Sequence, residues 1–254
     1  MESTLSVDYG YLLEEIGFKA GYGRAHADWP SQQRLDVDRA IDSGLRRFYQ
    51  GYPWTFLHPV TTLVTVANTE DYNLPDDFGG MDGSMTFGQS TGWISVRKVG
   101  EGKIRSLRQT DYGTGRPQYV AIRPRAFNAS VGHRFEALLW PKADTAYTLT
   151  YRYHVLLNKL SEAAPFPPGG MLHGETILAV CLWAFCGMYI ADEAEQAKQD
   201  YLERLADSIE IDKNMNTADF SGPYGAGEHN IGINADDLVT APQSYNVTVK
   251  GVQY

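Results

Sequence analysis

Two short stretches of the chain contain residue types that carry out chemistry in other proteins. Gly88-Gln89-Ser90-Thr91-Gly92 matches the G-x-S-x-G turn that presents a nucleophilic serine in hydrolases. That turn needs a strand before it and a helix after it, and residues 93–99 instead have the β-branched and aromatic composition of a strand. The motif therefore lacks the context of a hydrolase, and a serine hydrolase is the weakest functional alternative.

The second stretch is His173-Gly174-Glu175, followed by Cys181 and Cys186, the only two cysteines. Zinc deaminases use an H-x-E motif with a P-C-x-x-C pair, but four residues separate these cysteines and no proline precedes them. The remaining histidines form no i,i+4 ligand pair. We therefore expect no catalytic residue, no metal and no cofactor, and we expect both thiols to be reduced and buried.

The charge of the chain is unevenly distributed. The net charge of −9 argues against sequence-independent binding to nucleic acid. Residues 93–134 contain nine basic and two acidic residues, a net of +7, whereas residues 171–212 contain nine acidic and two basic residues, a net of −7. This separation indicates either complementary contacts between subunits or two solvated faces. The candidate intersubunit charges are Arg97, Arg105, Arg116, Arg123, Arg125, Glu193, Glu195 and Glu203.

The periodicity of apolar residues divides the chain into helices, then strands, then helices again. Apolar spacing predicts helices over 9–17, 31–50, 171–190 and 192–212. β-prone composition predicts strands over 60–66, 70–75, 93–99, 117–123 and 133–140, and a period-2 pattern predicts a strand over 146–157. The glycine-rich residues 78–92 are predicted to be a loop, and Gly100-Glu101-Gly102-Lys103 a hairpin turn. We therefore predict helical segments over 1–54 and 158–212, a β domain inserted over 55–157, and an extended arm over 213–254.

The predicted arm is rich in Gly, Asn, Asp and Ser and shows no helical period. Its few apolar residues are spaced like anchors for a partner, and the terminal YNVTVKGVQY resembles a strand that could add to a sheet edge. The alternative is a strand that completes the β domain of its own subunit. The anchor residues, which are candidate contacts to a partner, are Phe220, Tyr224, Ile231, Ile233, Leu238 and Tyr245.

The N-terminus is acidic and polar, so we expect no signal peptide. The longest apolar run, Ile177 to Ile190, is shorter than a membrane span, so we expect no membrane partner.

Several of these segments together resemble phage head-to-tail adaptor proteins, including the tail tubular protein A type. The similarity covers roughly residues 5–215. It is carried by a helix that ends in YPWTFL (52–57), by a strand and DYNLPDDF (71–78), by YTLTYRYHVLLNKLS (147–161), by PFPP (165–168) and by two C-terminal helices.

This resemblance implies an α+β fold, with a helical bundle, an inserted antiparallel β-sandwich or barrel, and an extended C-terminal arm. It implies a structural, non-enzymatic virion protein that forms a homo-oligomeric ring, usually of twelve subunits, beneath the portal protein. The ring would contact a tail, nozzle or neck protein, and the genomic DNA would pass through its lumen without specific binding. Assembly would take place in the host cytoplasm. The alternative of a different class is a receptor- or carbohydrate-binding tail protein, which would form trimers.

Overall fold

The computed structural model describes residues 2–88, 92–110 and 113–215, and the backbone of Thr248–Val249 and Val252–Gln253. Within these residues the chain has five α-helices and nine strands, which confirms the predicted α+β class. It divides into two compact units. One holds the described chain up to His58 and from Leu157 to Met215, and the other holds Pro59–Leu156 together with the described residues after Ser221. We call the first the helical unit, and residues 59–156 of the second the β unit.

The helical unit contains four α-helices, which are α1 (Tyr9–Lys19), α2 (Ser31–Gly51), α4 (Gly170–Tyr189) and α5 (Ala194–Met215). Asp8 caps α1 by accepting a hydrogen bond from the backbone N–H of Tyr11 at 2.8 Å. Short 3₁₀ turns lie at His26–Asp28, Thr55–Leu57 and Ala191–Glu193. These helices agree with the four predicted from periodicity.

The core of the helical unit is built around α4, which packs against α1, α2 and α5. On length and composition alone α4 could cross a membrane, with a mean hydropathy of 1.5, but 56% of that stretch is buried inside the fold. Its buried residues contact apolar side chains of the other helices. The helix is therefore apolar because it is the core helix of a bundle. The fully buried members of this core are Leu12, Leu13, Ile16, Val37, Ala40, Phe48, Trp54, Ile177, Val180 and Cys181.

The β unit is a sandwich of two sheets. Its elements are β1 (Val60–Val64), β2 (Asp71–Asn73), β3 (Phe78–Phe87), β4 (Arg97–Lys98), α3 (Glu101–Thr110), β5 (Tyr119–Pro124), β6 (Phe135–Trp140) and β7 (Thr148–Val155). One sheet has the order β1-β7-β3 and the other the order β2-β6-β5-β4. A single core cluster holds side chains from both sheets, so the two sheets pack face to face. Two further strands, β8 (Thr248–Val249) and β9 (Val252–Gln253), pair with each other.

The helix α3 corrects two predictions. Gly100-Glu101-Gly102-Lys103 was predicted to be a hairpin turn, but α3 begins at Glu101. Strands β4 and β5 are parallel, and a parallel pair requires a crossover rather than a hairpin. α3 supplies that crossover and buries Ile104 against Ala121 and Leu138, on the side of the sheet opposite the sandwich core. Of the strand predicted over 93–99, only Arg97–Lys98 forms.

The prediction of a glycine-rich loop at 78–92 was also wrong, because Phe78–Phe87 forms β3 and pairs with β7. Phe78, Met81 and Met85 are buried in the sandwich core and fix this strand in place. The glycines allow a close approach and a bulge. A Cβ on Gly79 would lie 2.9 Å from His154, and the pairing register shifts between Asp82 and Thr86, around Gly83 with φ of 65°.

Helices α2 and α4 approach each other closely at Gly44, where a Cβ would lie 2.7 Å from the Cα of Cys181. We predict that Gly44→Ala destabilises the protein by about 1–3 kcal/mol, because α2 and α4 would have to separate. The control is Gly187→Ala in α4, where nothing lies within 4 Å of the added methyl and helix propensity should stabilise by about 0.5–1 kcal/mol. Urea unfolding followed by circular dichroism measures both, and equal effects would contradict this packing.

Candidate assembly surfaces

His173 of the H-x-E motif and both cysteines are buried in the helical unit. His173 is buried among the rings of Phe48, Trp54 and Phe56, with ring centroids 5.1–6.3 Å away. Burial lowers the pKa of His173, so the neutral ring is favoured at neutral pH. Its neighbour in the motif, Glu175, pairs with Arg204 at 2.9 Å on the surface. The H-x-E motif is therefore divided between the core and the surface.

Both cysteines are buried and reduced, as predicted. Burial raises the pKa of each thiol, and the Cys181 thiol is 3.8 Å from the backbone oxygen of Ile41. Among the described residues, no group of three His, Cys, Asp or Glu side chains could hold a metal ion. Ser90 of the G-x-S-x-G motif lies outside the described residues. So do all six predicted arm anchors, Phe220, Tyr224, Ile231, Ile233, Leu238 and Tyr245.

A groove of about 430 Å³ lies beside α4 and α5 in the helical unit. Leu178, Ala179, Leu182, Cys186 and Ala197 form its apolar floor. Charged residues surround this floor and pair with each other, Lys19 with Glu193 and Arg204 with Glu175. An apolar floor with a rim of ion pairs suits the seating of an apolar side chain from another protein.

Most of the predicted intersubunit charges have partners within their own chain. Arg105 pairs with Glu101, Arg116 lies over the rings of Phe87 and Trp93, and Arg123 pairs with Glu136 and Asp71. In the helical unit, Glu193 pairs with Lys19 and Glu195 with Lys198. Among the described residues, only Arg97, Arg125 and Glu203 of the eight candidates have no such contact, and all three are exposed.

Four of the nine basic residues of segment 93–134 are therefore paired with acids inside the β unit, namely Arg105, Arg108, Arg123 and Arg134. Most of these acids come from outside the segment: Glu70 and Asp71 lie at the start of β2, Asp76 lies after it, and Glu136 lies on β6. A count of charges along the sequence could not show this, because strand pairing brings these acids next to the arginines.

Arg108 is the centre of this ion-pair network. Its side chain is only 15% exposed, and Nη2 donates to the backbone oxygens of Glu70 and Leu139 at 3.0 and 3.1 Å and to Asp71 Oδ1 at 2.8 Å. It therefore ties α3 to β6 and to the start of β2. Nothing in the pattern of residues around Arg108 distinguishes it from the other arginines.

The first strand of the β unit presents a different kind of surface, which the sequence analysis did not single out. β1 is at the edge of its sheet. Val60, Val64 and, just beyond the strand, Val66 are 62%, 56% and 59% exposed. The available signal was the β-branched composition of V-T-T-L-V-T-V at 60–66. That composition predicted a strand, but the edge position of the strand depends on contacts far along the chain.

A comparison with family models identifies the chain's relatives. The model described as "SU10 adaptor protein" matches residues 7–225, and this range includes all of the helices and the whole β unit. No curated protein matches the chain.

The ion-pair network gives a test of which arginines maintain the fold. We predict that Arg108→Ala destabilises the protein by about 2–3 kcal/mol, because two backbone oxygens and a carboxylate lose a charged donor. Arg105→Ala is the control. It removes an exposed i,i+4 pair and should cost less than about 0.5 kcal/mol. Thermal unfolding of both variants measures the difference, and a neutral Arg108→Ala would show that the network contributes nothing to stability.

Proposed function

The chain belongs to the SU10 adaptor protein family and is a structural phage adaptor, and from this premise we propose that it joins the capsid to the tail as a ring beneath the portal. The ring consists of identical subunits, usually twelve, and lies in the neck of the virion after assembly in the host cytoplasm. Its lumen is the DNA exit channel, and its opposite face receives a tail, nozzle or neck protein.

The observation that carries this proposal is the family match over 7–225, which extends across both compact units. The composition is consistent with it. A net charge of −9 repels the phosphate backbone, so DNA can move through a lumen without being held. The groove beside α4 and α5 and the exposed edge at β1 provide two different surfaces, as a head-to-tail ring contact requires.

The ring is tested by measuring the mass of the purified full-length protein by mass photometry and imaging it by negative-stain microscopy. Twelve chains of 28.3 kDa give a closed ring of about 340 kDa. A monomer at all concentrations, with the portal present or absent, would contradict the proposal. A stable trimer would instead favour a receptor-binding tail protein.

The candidate side chains that have no ion pair or ring contact among the described residues allow a more specific test of the ring. If Arg97 and Arg125 meet acids of a neighbouring subunit, Arg97→Glu combined with Arg125→Glu weakens the ring, most strongly at low salt. Lys103→Glu, a reversal in the same basic segment at an exposed helix position, is the matched control. Arg123→Glu is unsuitable, because Arg123 pairs with Glu136 and Asp71 within the β unit.

The C-terminal arm remains a proposal from composition. We propose that the six anchor residues between Phe220 and Tyr245 contact the portal. A chain that ends at Met215 retains the helices and the β unit, so we predict that it keeps its far-ultraviolet circular dichroism per residue and loses co-sedimentation with purified portal. If the shortened chain binds the portal as well as the full-length chain does, the arm does not contribute to portal binding.

A further inference from the structure

The outer edge of β1 has the geometry of a site that accepts another strand. In the antiparallel pair with β7, the Tyr153 N–H donates to Pro59 O at 3.3 Å and the Thr65 N–H to Tyr147 O at 2.9 Å. Hydrogen-bonded pairs alternate along such a ladder. The backbone groups of Val60, Thr62 and Val64 therefore point away from β7. Among the described residues these groups have no hydrogen-bond partner.

The side chains of this edge favour pairing with another strand. Val60, Thr62 and Val64 are exposed, and Val66 continues the row. Proteins usually protect an edge strand with charged residues, proline or a bulge. β1 has none of these between Val60 and Val64, and its pairing with β7 runs in continuous register. An exposed edge of β-branched residues without such protection is a template for β-strand addition.

We propose that β1 accepts residues 246–250 (NVTVK) from a neighbouring copy of this chain, so that the sheet of one subunit continues into the tail of the next. This inference rests on the proposed ring, since it supplies the contact between neighbours. Val247 and Val249 alternate with polar residues, which matches the period of an added strand. Thr248–Val249 has strand conformation, and in the described residues it pairs with Val252–Gln253 on one side only.

The length of the chain allows this exchange. Thirty residues separate Met215 from Asn246, and they can span up to about 100 Å at about 3.3 Å per residue. The donor strand and the acceptor edge are different surfaces, so the contact is heterologous. Repeating it around an axis closes a ring, whereas pairing of two β1 edges would stop at a dimer. The predicted portal anchors, which end at Tyr245, precede the donor strand and remain available to the portal.

Site-directed cross-linking tests the position of the donor strand. The native cysteines are buried, so cysteines introduced on the surface are the reactive thiols. One population carries Thr62→Cys and another carries Thr248→Cys. The two are mixed as dissociated subunits, assembled and treated with a short bis-maleimide. We expect cross-linked dimers in the mixture and little product in either population alone. Gln109→Cys, exposed on α3, replaces Thr62→Cys in the control and gives little dimer.

The other outcomes distinguish a failure of the strand exchange from a failure of the proposed ring. Cross-linking within a single chain that carries both cysteines, without dimers in the mixture, means that each tail closes the edge of its own subunit. Dimers of Thr62→Cys alone mean that two β1 edges pair. Rings without any cross-link refute the strand exchange and leave the proposed function standing. Cross-linked dimers without rings support the exchange and refute the ring.

A second measurement tests the energy of the contact. Val60→Lys combined with Val64→Lys places two charges on the exposed side of the edge, and we expect it to raise the dissociation constant between subunits by roughly tenfold or more. A chain that ends at Tyr245 should weaken assembly to a similar extent while retaining portal binding. Thr148→Lys, on the same face of the sheet but on the inner strand β7, is the control. Assembly by the Val60→Lys, Val64→Lys variant at the wild-type concentration would overturn the proposal.

Discussion

The fold depends on the contact between α2 and α4, because the helical core is assembled from two pieces of chain that the β unit separates. Gly44 lies against the backbone of Cys181, and 136 residues intervene between them. One core cluster contains residues from both pieces. Leu12, Ile41 and Phe48 precede the β unit, whereas Ile177, Val180 and Phe185 follow it. The β unit accommodates this arrangement because its first and last strands, β1 and β7, are neighbours. The inserted chain therefore leaves its unit beside the point where it enters.

The same pairing of β1 with β7 makes β1 an edge strand. β7 is the central strand of this three-stranded sheet, with β1 on one side and β3 on the other. The inserted chain begins in β1 and ends in β7. Because β7 pairs with only one side of β1, the outer side of β1 is left open. In most proteins an exposed edge strand risks aggregation and is protected by charged residues, proline, a bulge or a covering element. Here it is apolar and short, and a protein that functions only in an assembly can keep an edge open if a neighbouring subunit covers it. In the proposed assembly, folding topology and the contact between subunits are therefore linked through one strand.

How far the sequence predicts this structure depends on how local each determinant is. The four helices of the helical unit were predictable because their apolar periods are strong and local, and β7 was predictable from its alternation of Leu149, Tyr151 and Tyr153 with polar residues. α3 was missed because Ile104 is its only buried residue and most of its other side chains are polar. β3 was missed because glycine composition suggested a loop, whereas distant pairing with β7 decides its conformation. The pairing of Arg108 and Arg123 with acids from other strands was invisible for the same reason.

The distribution of charge shows why a surface for assembly must be identified from the folded structure and not from the sequence alone. Segments of +7 and −7 suggested that neighbouring subunits attract through these regions, yet five of the eight candidate side chains already have partners in their own chain. An ion pair that is already satisfied gains little from a second partner, because the exchange must also remove water from both charges.

Backbone groups at a sheet edge differ in this respect. They are fixed in direction by β7, they lose little conformational freedom on pairing, and each bond formed aligns the next. In the ring proposed above, such a contact would have a further advantage over charge pairing, since it depends little on the ionic strength around DNA in the channel.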